Sequence, residues 1–188
     1  MMAVNLSRYD NTWYSPGRNR VVRALWYVVN ALLLQNPLNP SSGLKVFCLR
    51  LFGAKIGVGV NLKPSINVKY PWKLEIGDNS WIGENVWLDT LASVKIGKNC
   101  CVSQGVYFCT GNHDWSDQKF KLIVKPIIIE DGAWVGAQSI LLPGITLGNH
   151  SILSAGCVIS HNTSPYTIYA GNPAKVVRKR EIQGNDNL

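Results

Sequence analysis

From residue 129 to residue 164 an aliphatic side chain returns at every sixth place without slippage: Ile129, Val135, Leu141, Leu147, Leu153 and Ile159. The next place is glycine at Gly136 and Gly148, and the fifth place of each hexad is mostly small. A period of six matches neither the 3.6-residue repeat of a helix nor the two-residue alternation of a half-buried strand. It matches a coil whose turns stack, each hexad giving one short strand and one corner. The same register runs through Ile56, Leu62 and Val68, then Ile76, Ile82 and Leu88, then Ile96, Val102 and Phe108, with a two-residue slip between triplets. All fifteen places are apolar. Gly57, Gly77, Gly83 and Gly97 also follow such places, where a tight corner favours a residue without a side chain.

Successive coils begin at 56, 76, 96, 129 and 147, so the third carries about fifteen residues beyond an 18-residue turn. That excess is an outward loop, and long loops on rigid scaffolds are where function concentrates. The expected fold is therefore all-β, a parallel β-helix of about five coils. It divides into a polar arm and helical cap over residues 1–55, the β-helix over 56–164 with a loop at 109–126, and a tail over 165–188.

Hydrophobic residues make up 46% of the chain and charged residues 16%, which describes a globular protein. The net charge of +8 is uneven: residues 1–55 carry +6, residues 56–174 are neutral and residues 175–188 carry +2. A neutral body with basic ends lacks the continuous cationic face of a nucleic-acid groove. Basic ends suit a membrane surface or the phosphates of a cofactor. The five cysteines show no metal spacing and an odd count for a disulfide framework, in keeping with a reducing compartment. Cys100 and Cys157, at fifth places, are expected to be buried.

No secretory signal stands out, so a cytoplasmic location is expected. Residues 21–34 are apolar apart from Arg23 and Asn30, and are too short to span a bilayer. Ser42 is placed to cap a second helix running to Phe52, with Leu44, Phe47, Cys48 and Leu51 on one face. Two readings stand for these helices. They cover the open end of the β-helix, or they rest on the inner face of a membrane that carries the substrate.

Among three histidines, His150 and His161 fall within regular hexads, at outward places. His113 stands where the third coil opens, beside Asn112, Asp114 and Trp115. A neutral imidazole takes a proton from a hydroxyl near pH 7, with a carboxylate or carbonyl fixing its tautomer. By position alone it is equally a surface residue. Trp115 and Tyr107 are stacking faces for a ligand ring, or packing residues.

The hexads, the loop Thr110-Gly111-Asn112-His113-Asp114 and the tail Ala170-Gly171-Asn172-Pro173-Ala174-Lys175-Val176-Val177-Arg178 together resemble the hexapeptide-repeat acetyltransferases. The resemblance is to the branch assigned to colanic acid and exopolysaccharide biosynthesis, related to galactoside, maltose and nodulation acetyltransferases. Residues 11–18 resemble that branch's amino-terminal signature. The resemblance implies a left-handed β-helix, a homotrimer with active sites between subunits, and acetyl-CoA as cosubstrate without a metal. It makes His113 the general base for direct acetyl transfer to a sugar hydroxyl of a polysaccharide precursor, the acceptor being a sugar or a lipid-linked oligosaccharide. Asp89, Asn112, Asp114, Trp115 and Tyr107 become acceptor-binding candidates. Trp134, Gly136, Ala137, Ala155, Gly156 and Ser160 match positions along the pantetheine arm, and Lys175 and Arg178 match residues near the adenosine phosphates.

Two positions depart from the galactoside pattern, Ala137 standing where those enzymes carry Ser and Asp89 where they carry Asn. Two other readings of the fold remain: a γ-carbonic-anhydrase-like metal enzyme, which needs three converging histidines, and a non-catalytic scaffold. Histidine spacings of 37 and 11, at different hexad places, do not favour the first.

Overall fold

A computed structural model describes residues 3–184. The first two residues of the arm and the last four of the tail lie outside the described residues. The six-residue register becomes three parallel sheets, each forming one face of the coil. The first face stacks Lys55–Ile56, Leu74–Ile76, Val94–Ile96, Ile127–Ile129 and Thr146–Leu147. The second stacks Asn61–Leu62, Trp81–Ile82, Cys101–Val102, Trp134–Val135 and Ile152–Leu153. The third stacks Asn67–Val68, Trp87–Asp89, Tyr107–Cys109, Ile140–Leu141 and Val158–Ile159. Among the described residues this makes five complete coils. Thr167–Ala170 begins a sixth beside Ile152–Leu153, and Lys175–Lys179 folds back on it antiparallel.

Register aligns the fifteen apolar places in three columns. One runs Ile56, Ile76, Ile96, Ile129 and Leu147, and another Val68, Leu88, Phe108, Leu141 and Ile159. All fifteen are buried, at 8% exposure or less. Burying each such side chain contributes about 1.5–3 kcal/mol, so these columns drive the fold. Cys100 and Cys157 are buried beside them, and all five cysteines are unpaired.

The glycines after core places have a different cause from the one their corner position suggests. A Cβ on Gly77 would lie 2.7 Å from the carbonyl carbon of Gly97, and one on Gly136 would lie 2.6 Å from the backbone N of Ala155. The next coil's backbone leaves no room for a side chain. Left-handed backbone falls instead at the fourth hexad place, taken by Gly132, Gln138, Gly144, His150 and Gly156.

The N-terminal helices follow a logic that the apolar pattern hides. Helix α1 (Arg20–Val29) passes into a π-helical turn (Asn30–Leu34), and α2 spans Ser42–Leu51. Ser41, not Ser42, caps α2 by accepting from the Leu44 N–H. Ser42 serves the β-helix: its Oγ accepts from the Leu62 N–H at 2.9 Å. Such side chains satisfy most of the first coil's open edge. Arg50 donates to the Ile56 carbonyl, Lys45 Nζ to that of Leu62, and Trp26 Nε1 to that of Val68. Asn30 accepts from the Val68 N–H. An unpaired strand edge is a liability, and the cap removes it.

The cap's polar side chains therefore turn inward. Lys45 is fully buried, also donating to the carbonyls of Asn39 and Ser41, and desolvation pushes its pKa down. Leu44, Phe47 and Leu51 of α2 are left exposed, so most of the apolar face of this helix turns away from the coil it caps. Cys48 alone of that set is buried, beside Leu49. On α1 and its π turn, Val21, Leu25, Val28 and Leu32 form a second exposed stripe. Among the described residues no helix is long and apolar enough to cross a membrane.

Candidate active site

The excess of the third coil is a β-hairpin. Gly111–His113 pairs antiparallel with Leu122–Val124, which places His113 opposite Leu122. Its root is fixed by Thr110, which is fully buried. The Thr110 hydroxyl donates to the Asp89 carbonyl and accepts from the Ala92 N–H, and its own carbonyl accepts from Lys125 N–H.

His113 is half-buried, with its ring stacked on Phe120 at 4.3 Å between centroids and 7° between planes. Its Nδ1 lies 2.8 Å from the Phe120 carbonyl oxygen. A carbonyl only accepts, so the Nδ1 carries the hydrogen and Nε2 is left with its lone pair. That is the tautomer a general base requires. No carboxylate takes part: Asp114 Oδ1 accepts from the N–H and hydroxyl of Ser116, which hold its pKa down. The Asp89 carboxylate pairs with Lys69 Nζ at 3.1 Å.

The other acceptor candidates are spread out. Asn112 Oδ1 accepts from the His113 N–H, which steadies the strand. Trp115 stands exposed at the hairpin tip. Tyr107 stacks on Trp87 on the outer side of the third face, 4.7 Å between centroids, and burial pushes its hydroxyl pKa up. Sequence reasoning missed the contribution of the arm. Asn5 N–H donates to the Gln118 carbonyl, Tyr9 lies 5.6 Å from the His113 ring, and Tyr14 OH donates to the Leu91 carbonyl. Trp72 Nε1 donates to the Pro16 carbonyl and anchors the arm's far end. A strip of Tyr and Asn before the first helix was the available signal.

Trp134, Gly136, Ala137, Ala155 and Arg178 line one groove of about 660 Å³ on the second face. Trp134 Nε1 donates to Ser103 Oγ, which fixes the indole along the groove. The N–H groups of Ala137 and Ala155 have no partner among the described residues, so both are free to donate to a ligand. Gly156 follows Ala155, its N–H donating to the Ala137 carbonyl. Lys175 starts the returning strand that carries Arg178. Ser160 lies elsewhere, after Val158–Ile159, at the corner between the third and first faces. The hairpin with His113 rises from that same corner, whereas Gly136, Ala137 and Ala155 sit at the corner between the second and third faces. Within one chain the imidazole and the groove lie at different edges.

A larger concavity of about 710 Å³ crosses the first face over Lys55, Glu75 and Lys95. These charges neutralise one another in a ladder, with Lys55 Nζ 2.8 Å from Glu75, and they offer no unpaired base. His150 stacks on Tyr166 and His161 lies against Tyr169. Among the described residues no three His, Cys, Asp or Glu side chains are gathered as a metal site would require.

Stacked hexads, a grooved face and an imidazole on a protruding hairpin define a β-helix transferase. Comparison with known proteins gives the family. Residues 126–161 match the family described as bacterial transferase hexapeptide (six repeats), and residues 73–108 match the hexapeptide repeat of succinyl-transferase. The chain is 37% identical over 164 residues to the Escherichia coli protein named "Putative colanic acid biosynthesis acetyltransferase WcaF", an alignment covering 87% of this chain and 90% of that one. It is 26% identical over 136 residues to the galactoside O-acetyltransferase of E. coli, covering 71% and 66% respectively. A hexapeptide-repeat containing acetyltransferase from Vibrio cholerae has the same fold, with TM-score 0.79 at 23% identity over 86% of this chain and 92% of that one. A second structure of that protein is complexed with acetyl coenzyme A. The chain belongs to the hexapeptide-repeat acetyltransferases and is an acyltransferase.

Proposed function

We propose that the protein transfers acetyl from acetyl-CoA directly to a sugar hydroxyl, with His113 as general base. The observation that carries this is the 2.8 Å contact of His113 Nδ1 with the Phe120 carbonyl oxygen, which in the neutral ring puts the hydrogen on Nδ1 and makes Nε2 the base. Nε2 takes the hydroxyl proton as the oxygen attacks the thioester carbonyl. The tetrahedral intermediate then collapses, the C–S bond breaks, and the thiolate of CoA leaves and takes up the proton. The oxyanion needs N–H donors, and the free Ala137 N–H supplies one where a serine hydroxyl is absent. The pantetheine arm lies along the groove beside Trp134, with the phosphates towards Arg178 and Lys175.

Because His113 and the groove occupy different corners of one chain, the site is completed between neighbouring copies, in a trimer. Calorimetric titration of acetyl-CoA, with the mass of the oligomer measured alongside, tests both points. One acetyl-CoA per subunit on a trimer is expected, and a well-folded monomer with no binding would overturn the reading. Replacing Lys175 and Arg178 together by Ala is expected to weaken acetyl-CoA about tenfold, and its 3′-dephospho analogue much less. Equal losses would remove the phosphate role.

The acceptor is a polysaccharide precursor at a membrane surface, and the exposed stripes Val21, Leu25, Val28, Leu32 and Leu44, Phe47, Leu51 rest on that membrane. Exposed Arg18, just before α1, complements anionic headgroups. The protein is expected to float with phosphatidylglycerol vesicles at low salt and to release at high salt. Leu25→Glu with Phe47→Glu is expected to abolish flotation. A change of oligomer mass in that variant, without vesicle binding in the parent, would assign the stripes to another copy instead.

A further inference from the structure

Between the arm and the third face lies a cavity of about 610 Å³. Tyr9 and Leu122 bound it on the side of His113, the first close to the imidazole ring and the second paired opposite it. Its other wall is cationic, with Arg20 and Arg23 from α1 and Lys69 from the edge of the third face. A smaller cavity of about 380 Å³ shares Arg23, Lys69 and Tyr70, so the cations stand where the two spaces adjoin.

These charges are not balanced from within. Lys69 is paired with Asp89, whereas Arg20 and Arg23 form no salt bridge among the described residues. Arg23 Nε is buried and has no hydrogen-bond partner among them. Lys73 is close by but occupied, donating to the Leu91 carbonyl at 2.6 Å and to Tyr14 OH at 3.1 Å. A buried guanidinium N–H is rarely left unpaired, and the planar guanidinium fork fits a carboxylate or phosphate through two parallel bonds.

Resting on the acetyl-transfer reading above, we infer that this cavity is the acceptor site and that the acceptor carries an oxyanion, a carboxylate or a phosphate, held by Arg23 and Arg20. The anion anchors one end of the sugar and its hydroxyl meets Nε2 of His113. Tyr9, Tyr14 and Tyr70 supply faces for the ring, Tyr70 being backed by Trp72 at 5.2 Å. A neutral sugar leaves Arg23 Nε unpaired, which is how a site built around a charge rejects an analogue lacking it.

The test compares methyl glucuronide, glucose 1-phosphate and the neutral methyl glucoside on the full-length enzyme. Binding is measured by calorimetry without acetyl-CoA, and transfer by CoA release. At least one anion is expected to bind and to show a KM about tenfold or more below that of the glucoside. The better anion identifies carboxylate or phosphate. Arg23→Met is expected to raise that KM about 10- to 100-fold while the KM for acetyl-CoA stays unchanged. Exposed Arg20→Gln provides the same readout, about three- to tenfold, should Arg23→Met fail to fold. No binding of either anion, or equal losses for the anionic and neutral sugars in the variants, overturns the assignment. Acetylation of the glucoside alone would leave the transferase reading intact and remove this one. Loss of acetyl-CoA binding with anion binding intact would remove the transferase reading and, with it, the acceptor role, leaving only an anion site, since the anion titration does not depend on acetyl-CoA.

Discussion

His113→Ala is expected to slow acetyl transfer by about 10²–10⁴-fold. Acetyl-CoA affinity should stay within about threefold, because the groove lies at another corner and does not contain this side chain. The hairpin should survive, since it is built by backbone pairing between Gly111–His113 and Leu122–Val124 and by the buried Thr110 at its root. What disappears is the Nε2 lone pair and the Nδ1 hydrogen bond to the Phe120 carbonyl. His113→Asn separates these two losses. An asparagine amide keeps a donor for the Phe120 carbonyl but has no group that takes a proton near neutral pH. It should be as slow as the alanine variant, and added imidazole should restore part of the rate to the alanine variant alone. An asparagine variant near the parent rate would mean that the residue orders the hairpin and that the proton goes elsewhere.

What the sequence disclosed follows from what each segment packs against. The register of the β-helix was readable because a coil's interior takes an apolar side chain at every sixth place, and all fifteen predicted places are buried. The helices were legible as a cap, but not which of their faces turns inward. The cap's partner is not another apolar surface but the unpaired backbone edge at Ile56, Leu62 and Val68, so Lys45, Asn30 and Ser42 face inward as donors and acceptors. Amphipathicity assumes that helices bury their apolar face, and here that assumption reverses the answer for Leu44, Phe47 and Leu51. His113 was legible as a candidate because the register broke around it, but its hydrogen-bond partner was not. A backbone carbonyl seven residues away leaves no trace in residue type, whereas the adjacent Asp114 invites the wrong inference. The arm carried no periodicity at all, so Tyr9 and the cavity behind it emerged only from the fold.

Phe108→Ala is expected to cost roughly 3–5 kcal/mol of stability and to lower the Tm by roughly 10 °C. Phe108 is fully buried in the third column between Leu88 and Leu141, and it is the only aromatic residue among the fifteen core places. Removing its ring leaves a cavity that the stacked backbones above and below cannot close, because glycines such as Gly77 already bring coils into direct contact. In a stacked repeat the damage falls mainly on adjacent coils. Here those neighbours include the hairpin root, because Cys109 and Thr110 follow directly and Thr110 is bonded to the Asp89 carbonyl on the coil below. Turnover should therefore fall together with stability, well below the melting transition, while acetyl-CoA binding in the groove persists. Phe108→Leu, which keeps most of the volume, should cost about 1 kcal/mol and spare the rate. If Phe108→Ala melts early yet turns over at the parent rate, the hairpin is positioned by Thr110 and the arm's contact at Gln118 alone. His113 would then be held from outside the core, and the fold's tightest packing would contribute nothing to the chemistry beneath which it lies.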